Sequence, residues 1–440
     1  MGKSYTFKGG VHPPHHKHYT EELKIEDAIL PEKVVIPMQQ HIGAPCEPIV
    51  KVNDYVEVGQ KIGEARAFVS APVHASISGV VKMIQERQTA TGKAKCVIIE
   101  SDGKNQLHES VKKKGDLDSL SAKELLEIIK EAGITGMGGA SFPTHVKLSP
   151  PPEKKIDTII LNGAECEPYL TADHRLLLEY PEKVVFGLRV CMKILGVEKG
   201  YIAIELNKQD AIDKMIEITK SLDCIEIMPI RTKYPQGDEK RIINAITKRE
   251  VPSGGLPMDV GCVVNNVGTA AAISDAVLLG MPLVERVMTI TGSAVKTPRN
   301  LKVKVGTSFK EVIEQCGGAK EDLSKLIMGG PMMGIAQYTW DVPTVKGTSG
   351  ILLLNEKDSE YKTSQPCIRC GKCVEACPVH LEPLFISQFA LKGMFDEAEK
   401  YSPMDCIECG SCSYICPSKR PLLDGIRLAK REVIAKRRKS

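Results

Sequence analysis

The chain has 440 residues, of which 42% are hydrophobic and 26% are charged. This mixture excludes an intrinsically disordered or fibrous protein, and the length predicts about three domains. No stretch approaches 18 uninterrupted apolar residues, so we expect no membrane-spanning helix. The N-terminal sequence has neither an apolar core nor a cleavage pattern, and we therefore expect no secretory signal peptide.

The formal net charge of +4 is concentrated at one end of the chain. Residues 419–440 carry a net charge of +7, whereas the first 418 residues carry −3. No aromatic or groove-reading motif accompanies this basic tail, so we expect no nucleic-acid partner. Anionic lipid or an acidic redox partner fits its position better, and a solvent-exposed helix end is the alternative.

Eight of the 15 cysteines form two runs of one spacing, C-x2-C-x2-C-x3-C-P. This spacing is typical of two [4Fe–4S] clusters in which three cysteines of one run are joined by the fourth cysteine of the other. We call the four ligands expected for one cluster the first set, and they are Cys367, Cys370, Cys373 and Cys416. The second set, expected to hold the other cluster, is Cys377, Cys406, Cys409 and Cys412.

Zinc is the alternative for these cysteines, because paired C-x2-C motifs also suit tetrahedral Zn²⁺. Zinc does not require the 2-2-3 spacing with a trailing proline, and this pattern occurs twice. Between the runs, Leu384, Phe385, Gln388 and Phe389 recur at helical spacing, and Gly393 precedes a second short helix. We therefore predict a helical ferredoxin module. The odd cysteine total and the expected lack of a signal peptide argue against a disulfide framework.

A glycine-rich segment in the middle of the chain suits phosphate binding. Gly136, Gly138 and Gly139 are followed by Lys147, and the segment comes after a helix with a Ser121–Glu124 capping box. Glycine lets backbone amides approach a phosphate, and a lysine adds positive charge. The segment matches neither the Rossmann fingerprint nor the P-loop, and taken alone an ordinary glycine-rich turn is the alternative.

Polar residues also follow three predicted strand regions of an α/β alternation. They lie in residues 162–168, 234–240 and 265–269. Because open α/β sheets bind ligands beyond the carboxyl ends of their strands, these segments predict a nucleotide site.

These motifs resemble the flavin- and NADH-binding subunit of respiratory complex I, and the whole chain resembles the RnfC family, which belongs to Rnf ion-translocating electron-transport complexes. The resemblance implies bound FMN, with NADH as the electron donor. Asp238 stands where complex I has Glu. The cofactor-binding residues that it implies are Gly136, Gly138, Gly139, Ala140, Phe142, Lys147, Asn162, Glu165, Glu167, Gly237, Asp238, Glu239, Asn265 and Asn266.

The resemblance implies a multidomain α/β fold. Its expected parts are an N-terminal arm with a barrel-sandwich hybrid (1–115), an FMN/NADH-binding α/β domain (116–283), a soluble-ligand-binding β-grasp domain (284–357), a two-cluster ferredoxin domain (358–420) and the basic tail (421–440). The barrel-sandwich region resembles biotinyl and lipoyl carriers. It has Ala67–Ser70 where a carrier has its acceptor lysine, so we expect a structural role.

The implied function is NADH oxidation, with electrons passing through FMN and the two clusters to partner subunits and indirectly to ferredoxin. The chain is expected to lie peripherally on the cytoplasmic face of a bacterial cell membrane. No catalytic side chain is needed beyond the cofactors. Two alternatives are a cobalamin reductase of a diol-utilisation microcompartment and a non-catalytic electron-transfer subunit.

Overall fold

The computed structural model describes residues 5–359 and 363–438, and Lys439 of the basic tail lies outside them. The N-terminal region begins with an arm that contains a short 3-10 helix, Lys17–Tyr19. Two small sheets follow, in the orders β2-β8-β7-β4 and β3-β5-β6. The strands of this region are β1 (Ile25–Asp27), β2 (Lys33–Pro37), β3 (Glu47–Pro48), β4 (Tyr55–Val56), β5 (Lys61–Glu64), β6 (Val73–His74), β7 (Gly79–Thr89) and β8 (Gly92–Ser101).

The two small sheets close around one apolar core. Alternate residues of β2 and β8 face it, including Val34, Ile36, Val97 and Ile99, all of which are buried. A strand has a side-chain period of two, so one face of each sheet supplies this core.

The next region is a parallel α/β sheet. Its elements are α1 (Ala122–Glu131), α2 (Thr144–Lys147), β9 (Thr158–Gly163), α3 (Ala172–Glu179), α4 (Pro181–Leu195), β10 (Gly200–Glu205), α5 (Gln209–Thr219), β11 (Ile225–Ile230), α6 (Glu239–Thr247), a 3-10 helix (Pro257–Val260), β12 (Cys262–Asn266) and α7 (Val267–Leu278). The predicted capping box of Ser121 and Glu124 starts α1, as expected.

The strand order β11-β10-β9-β12 places the switch point of this sheet between β9 and β12. The chain runs outward from β9 through β10 to β11, and then returns to the other side of β9. Crossover connections on opposite sides of such a point leave a crevice at the carboxyl ends of the strands. Ligand-binding residues are therefore expected beyond Gly163 and Asn266.

A mixed six-stranded sheet follows, in the order β1-β14-β13-β17-β15-β16. Strand β1 of the N-terminal region thus extends the sheet of a later domain, pairing in parallel with β14. The new elements are β13 (Glu285–Thr291), β14 (Arg299–Lys304), α8 (Phe309–Gln315), β15 (Leu323–Met328), β16 (Ile335–Gln337) and β17 (Gly350–Asn355).

The C-terminal region is helical. It comprises α9 (Lys372–Glu375), α10 (Pro383–Leu391), α11 (Phe395–Glu399), a 3-10 helix (Pro403–Asp405), α12 (Ser411–Ile415) and α13 (Leu422–Arg437). Helices α10 and α11 confirm the two helices expected on either side of Gly393. Helix α13 makes up most of the basic tail, and its buried Ile426, Ala429 and Val433 pack into this region.

Candidate functional site

Two asparagines meet at the switch point of the parallel sheet. Asn266 at the end of β12 is in register with Asn162 near the end of β9. The side-chain amide of Asn162 donates to the Gly237 carbonyl at 2.7 Å, which brings in the third strand-exit segment. Asn265 differs from its neighbour, because it is buried and its amide lies 3.8 Å from the Cys191 sulfur on α4.

The glycine-rich loop covers this edge of the sheet. The Met137 amide donates to the Thr269 hydroxyl at 2.9 Å, and the Gly136 amide donates to the Phe142 carbonyl at 2.7 Å. A Cβ atom on Gly138 would lie 3.0 Å from the Asn266 amide nitrogen. Gly138, Gly139 and Ala140 are exposed, so their backbone is open to a ligand at this edge.

Lys147 and Glu239, which are distant in sequence, meet beside β12. The Lys147 ammonium donates to a Glu239 carboxylate oxygen at 3.0 Å and to the Val264 carbonyl at 2.9 Å. Glu239 is the first residue of α6. The pair therefore ties the segment after the glycine-rich loop to the start of α6.

Asp238 acts on its own helix. Its carboxylate accepts from the Arg241 amide at 3.1 Å and caps α6, and burial raises its pKa. The preceding Gly237 has close neighbours, since a Cβ atom there would lie 3.3 Å from the Cys166 sulfur. Glycine at this position permits the close packing of two strand-exit segments.

The carboxylates of Glu165 and Glu167 are both held by backbone amides. Glu165 accepts from the amides of Asp173 and His174, at 2.7 and 3.2 Å, at the start of α3. Glu167 accepts from the amides of Met332 and Met333, at 3.0 and 2.8 Å. Burial raises the pKa of Glu167 to about 7. Glu167 therefore joins this loop to the Gly329–Gly334 segment of the mixed sheet.

Sequence reasoning did not identify Lys17, which lies in the N-terminal arm and is 4% exposed. Its ammonium donates to the carbonyls of Glu165, Glu167 and Leu170 at 2.9, 3.2 and 2.5 Å. Lys208, also buried, donates to the Ala164 carbonyl at 2.7 Å. Two buried ammonium groups thus fix the loop that follows β9, and no local sequence signal marks either lysine.

The second cysteine set lines one cavity in the helical region, of about 320 Å³ including its open mouth. All four of its members contribute, together with Pro378, Gly410 and apolar side chains. Backbone amides point at two of the sulfurs, from Leu381 to Cys377 at 3.3 Å and from Glu408 to Cys406 at 3.4 Å. A cavity walled by four thiols, with amide donors to sulfur, fits a cubane iron–sulfur cluster.

The first cysteine set lies nearer to solvent. Cys367 and Cys370 are exposed, Cys373 is partly buried and Cys416 is buried. Within residues 5–359 and 363–438, no three His, Cys, Asp or Glu side chains converge closely enough to hold a single metal ion.

The second set packs directly against the switch-point region. The Tyr234 hydroxyl donates to the Cys409 carbonyl at 2.8 Å, and the Arg241 guanidinium donates to the Pro378 carbonyl at 2.5 Å. A Cβ atom on Gly410 would lie 3.1 Å from the Met332 carbonyl. The N-terminal arm joins the same contact, since the Gly10 amide donates to the Ala376 carbonyl at 2.9 Å.

Four family models match successive parts of the chain. They are the RnfC barrel sandwich hybrid domain (residues 5–104), the Nuo51 FMN-binding domain (129–275), the SLBB domain (287–336) and a 4Fe-4S dicluster domain (359–417). These matches confirm the expected fold class and the expected FMN and iron–sulfur domains. In the described part of the chain, no helix has the length and apolar character needed to cross a membrane.

A solved structure shares the fold of a large part of the chain. An NAD⁺-reducing [NiFe]-hydrogenase in the air-oxidized state superposes with a TM-score of 0.50 at 17% identity, covering 73% of this chain and 65% of that chain. At this identity the likeness concerns the fold alone.

Two curated relatives match almost the full length. The C subunit of the Na⁺-translocating ferredoxin:NAD⁺ oxidoreductase complex of Acetobacterium woodii is 52% identical, over 99% of both chains. The C subunit of the proton-translocating complex of Clostridium ljungdahlii is 53% identical, over 97% of this chain and 94% of the relative. The chain therefore belongs to the RnfC family of ion-translocating ferredoxin:NAD⁺ oxidoreductase complexes.

Proposed function

We propose that this chain is the NAD(H)-reacting subunit of a membrane-associated ferredoxin:NAD⁺ oxidoreductase. In this role it binds FMN at the switch point and two [4Fe–4S] clusters in the helical region. It contacts the other subunits of the complex and exchanges electrons with ferredoxin indirectly. We place it peripherally on the cytoplasmic face of the membrane. The full-length relatives favour this role over a cobalamin reductase.

One observation supports this proposal above the others, namely the direct packing of the second cysteine set on the switch-point loops. Tyr234 and Arg241 bridge the two regions through the backbone of Cys409 and Pro378. A flavin accepts a hydride from NADH and exchanges electrons singly with an iron–sulfur cluster, so it links the two chemistries. A flavin site and a cysteine-lined cavity in contact suit that exchange.

The residues of the switch point have different proposed roles in FMN binding. The exposed backbone of Gly138–Ala140 and the side chains of Asn162 and Asn266 form the surface on which FMN would lie. The Lys147 ammonium, which is held by the Glu239 carboxylate, would supply positive charge at the edge of this surface. Glu165 and Glu167 act by holding the loop after β9 in place, because their oxygens are occupied by backbone amides.

The surroundings of the two cysteine sets also suggest the order of the two clusters in the electron path. The second set contacts the switch-point region through Tyr234 and Arg241, whereas Cys367 and Cys370 of the first set are exposed. We propose that a redox partner docks at the first set and that the second set lies next to the flavin.

The first test uses purified, cluster-reconstituted protein mixed with FMN, NADH and an artificial electron acceptor. The proposal predicts FMN retention and NADH oxidation. Failure of both would contradict it, and the chain would then be a non-catalytic electron-transfer subunit.

The second test replaces Lys147 with alanine. Loss of a charge-assisted contact is expected to weaken FMN binding about 10- to 100-fold while the iron content stays unchanged. Lys130→Ala is the matched control, because Lys130 also pairs with a glutamate at 3.0 Å but its side chain is 43% exposed on α1 and is not among the proposed FMN-binding residues. Iron loss with normal FMN retention would contradict the assigned role of Lys147.

A further inference from the structure

The loops of the two cysteine runs carry opposite charges. The first run (367–377) has Arg369 and Lys372 between its first three cysteines, and no acid there. The second run (406–416) has Glu408 at the position that corresponds to Arg369, and no cation between its first three cysteines. The spacing that holds an iron–sulfur cluster does not require this difference in charge. We therefore looked for its cause in the surroundings of each loop.

The acid of the second run is used within the chain. Glu408 pairs with Lys430 at 2.6 Å and with Arg427 at 2.9 Å, both on α13. Arg369 and Lys372 of the first run are exposed, and among the residues that the structure describes neither has an ion-pair partner. The charges of the first run are thus available to a partner from outside the chain.

Two further cations lie beside the first set. Lys419 and Arg420 follow Cys416, which is the first-set ligand expected from the second run. The two segments adjoin, because the Gln365 amide donates to the Ser418 carbonyl at 2.8 Å. Lys419 is exposed, and neither cation forms an ion pair within residues 5–359 and 363–438. The basic charge therefore continues from the first run onto the start of the C-terminal segment.

Acids are few on this side of the helical region, and apolar side chains are exposed among the cations. Glu375 is the one acid in residues 363–380, and residues 417–421 contain none. Ile368 is 67% exposed and Val374 is 39% exposed, and both lie next to first-set cysteines in the sequence. We call Ile368, Arg369, Lys372, Val374 and Lys419 the first-set face. It combines an apolar part with an excess of positive charge.

We propose that the first-set face docks an acidic electron-transfer protein or domain that exchanges single electrons with the first cluster. This inference rests on the proposed function and adds the chemistry of the redox partner. Cations around an exposed redox site attract and orient an acidic partner, and an apolar part is typical of the core of a protein interface. An anionic lipid surface fits less well, because it would cover the exposed ligands without offering an electron donor or acceptor.

The electron count of the proposed exchange is simple. A reduced carrier loses one electron, the first cluster gains it, and no bond forms or breaks in this step. Two such transfers and one proton convert one NAD⁺ into NADH, with the flavin as the converter between single electrons and hydride.

The test uses protein loaded with FMN and both clusters, NAD⁺, and an acidic bacterial two-[4Fe–4S] ferredoxin, reduced with dithionite, as the probe. Stopped-flow absorbance follows the oxidation of the ferredoxin. Raising the salt from about 0.01 to 0.1 M shortens the screening length from about 30 to 10 Å and should slow the transfer about tenfold. The double variant Arg369→Glu/Lys372→Glu should be about 10- to 100-fold slower at the lower salt, and its rate should no longer fall as salt is added.

Two further variants control for the fold and for total charge. Lys419→Glu lies outside both cysteine runs and should give a smaller loss of the same sign, so it decides the test if the double variant loses iron. Lys93→Glu/Lys95→Glu makes the same change in net charge at exposed positions of β8. Its transfer rate should stay within about twofold of wild type.

Three results would overturn the inference. The first is a transfer rate that does not depend on salt or that falls equally in the double variant and in the β8 control. The second is wild-type protein that oxidises NADH but takes no electron from the ferredoxin. The third is a double variant that loses binding to phosphatidylglycerol vesicles while its transfer rate is unchanged, which would assign the face to lipid. Wild-type protein that neither retains FMN nor oxidises NADH would instead contradict the proposed function itself.

Discussion

The two cysteine sets have the same spacing but different surroundings. The second set lines a cavity and contacts the α/β region through Tyr234 and Arg241. The first set has two exposed members, Cys367 and Cys370, in a segment without helix or strand. The shared motif predicts the same ligand type for both clusters, whereas packing gives the two sets different surroundings, and this difference is the basis of the proposed order.

Helix α13 accounts for part of this difference. The Lys430 ammonium donates to the Cys406 carbonyl at 2.9 Å and pairs with Glu408 at 2.6 Å, and Arg427 also pairs with Glu408. The basic residues of the C-terminal segment thus cover the loop of the second set. Lys430 and Arg427 therefore form ion pairs within the chain itself, in addition to any contact of this helix with lipid or a partner.

The largest expected effect, the loss of one whole cluster, separates the two sets directly. In Cys409→Ser only the first cluster should remain, and in Cys370→Ser only the second. After dithionite reduction, NAD⁺ should reoxidise the remaining cluster of Cys370→Ser rapidly. The same reaction in Cys409→Ser should be at least about tenfold slower, a barrier increase of about 1.4 kcal/mol. Electron paramagnetic resonance follows the reaction, and equal rates would contradict the proposed order.

Lys17→Met should destabilise the loop of residues 165–170, which follows β9. It leaves three carbonyl groups of residues 165–170 without their donor, an expected loss of about 2–4 kcal/mol in the free energy of unfolding. Chemical denaturation measures this loss. Lys24→Met, an exposed position beyond the same arm, should be within about 0.5 kcal/mol of wild type. A Lys17 variant as stable as the Lys24 control would show that the arm does not hold the loop.

Arg241→Ala removes one bridge between the second set and the α/β region. The loss of its bond to the Pro378 carbonyl should cost about 1–3 kcal/mol. A chelator should then remove iron faster from the second cluster, with the first unaffected. The control is Lys240→Ala, on the same helix. Faster loss from the first cluster instead would contradict the assigned contact.

The smallest effect concerns pH and Glu167. Burial raises its pKa from an ordinary 4.5 to about 7, so the folded state binds the proton more tightly than the unfolded state. Its contribution to stability is complete below pH 4.5 and is lost as the pH rises through 7. The glutamine in Glu167→Gln does not titrate. The Tm of this variant should therefore rise by roughly 2–4 °C relative to that of wild type as the pH increases from about 5 to 8. A Tm difference that stays constant with pH would contradict this assignment.

Features that depend on local sequence could be predicted. The cysteine spacing, the glycine-rich loop and the helix break at Gly393 are all short-range patterns. The convergence of Asn162 and Asn266 was also accessible, because parallel strands bring their carboxyl ends to one edge. The family matches support the same fold and cofactor domains.

Contacts between distant segments could not be predicted in this way. Glu165 and Glu167 resemble ligand-facing residues in sequence, yet their carboxylates meet backbone amides of α3 and of the mixed sheet. Lys17 and Arg286 lie near the switch point only because the arm and β13 pack against the α/β region. Such contacts depend on how domains pack, which no periodicity within one segment encodes.

The most direct test of the central claim is an experimental structure of the chain loaded with FMN and both clusters. The account predicts that the iron atoms nearest to the flavin are ligated by the second set, Cys377, Cys406, Cys409 and Cys412. It also predicts that the first-set cluster lies farther from the flavin and nearer to the surface. A structure in which Cys367, Cys370, Cys373 and Cys416 hold the nearest iron atoms would contradict it.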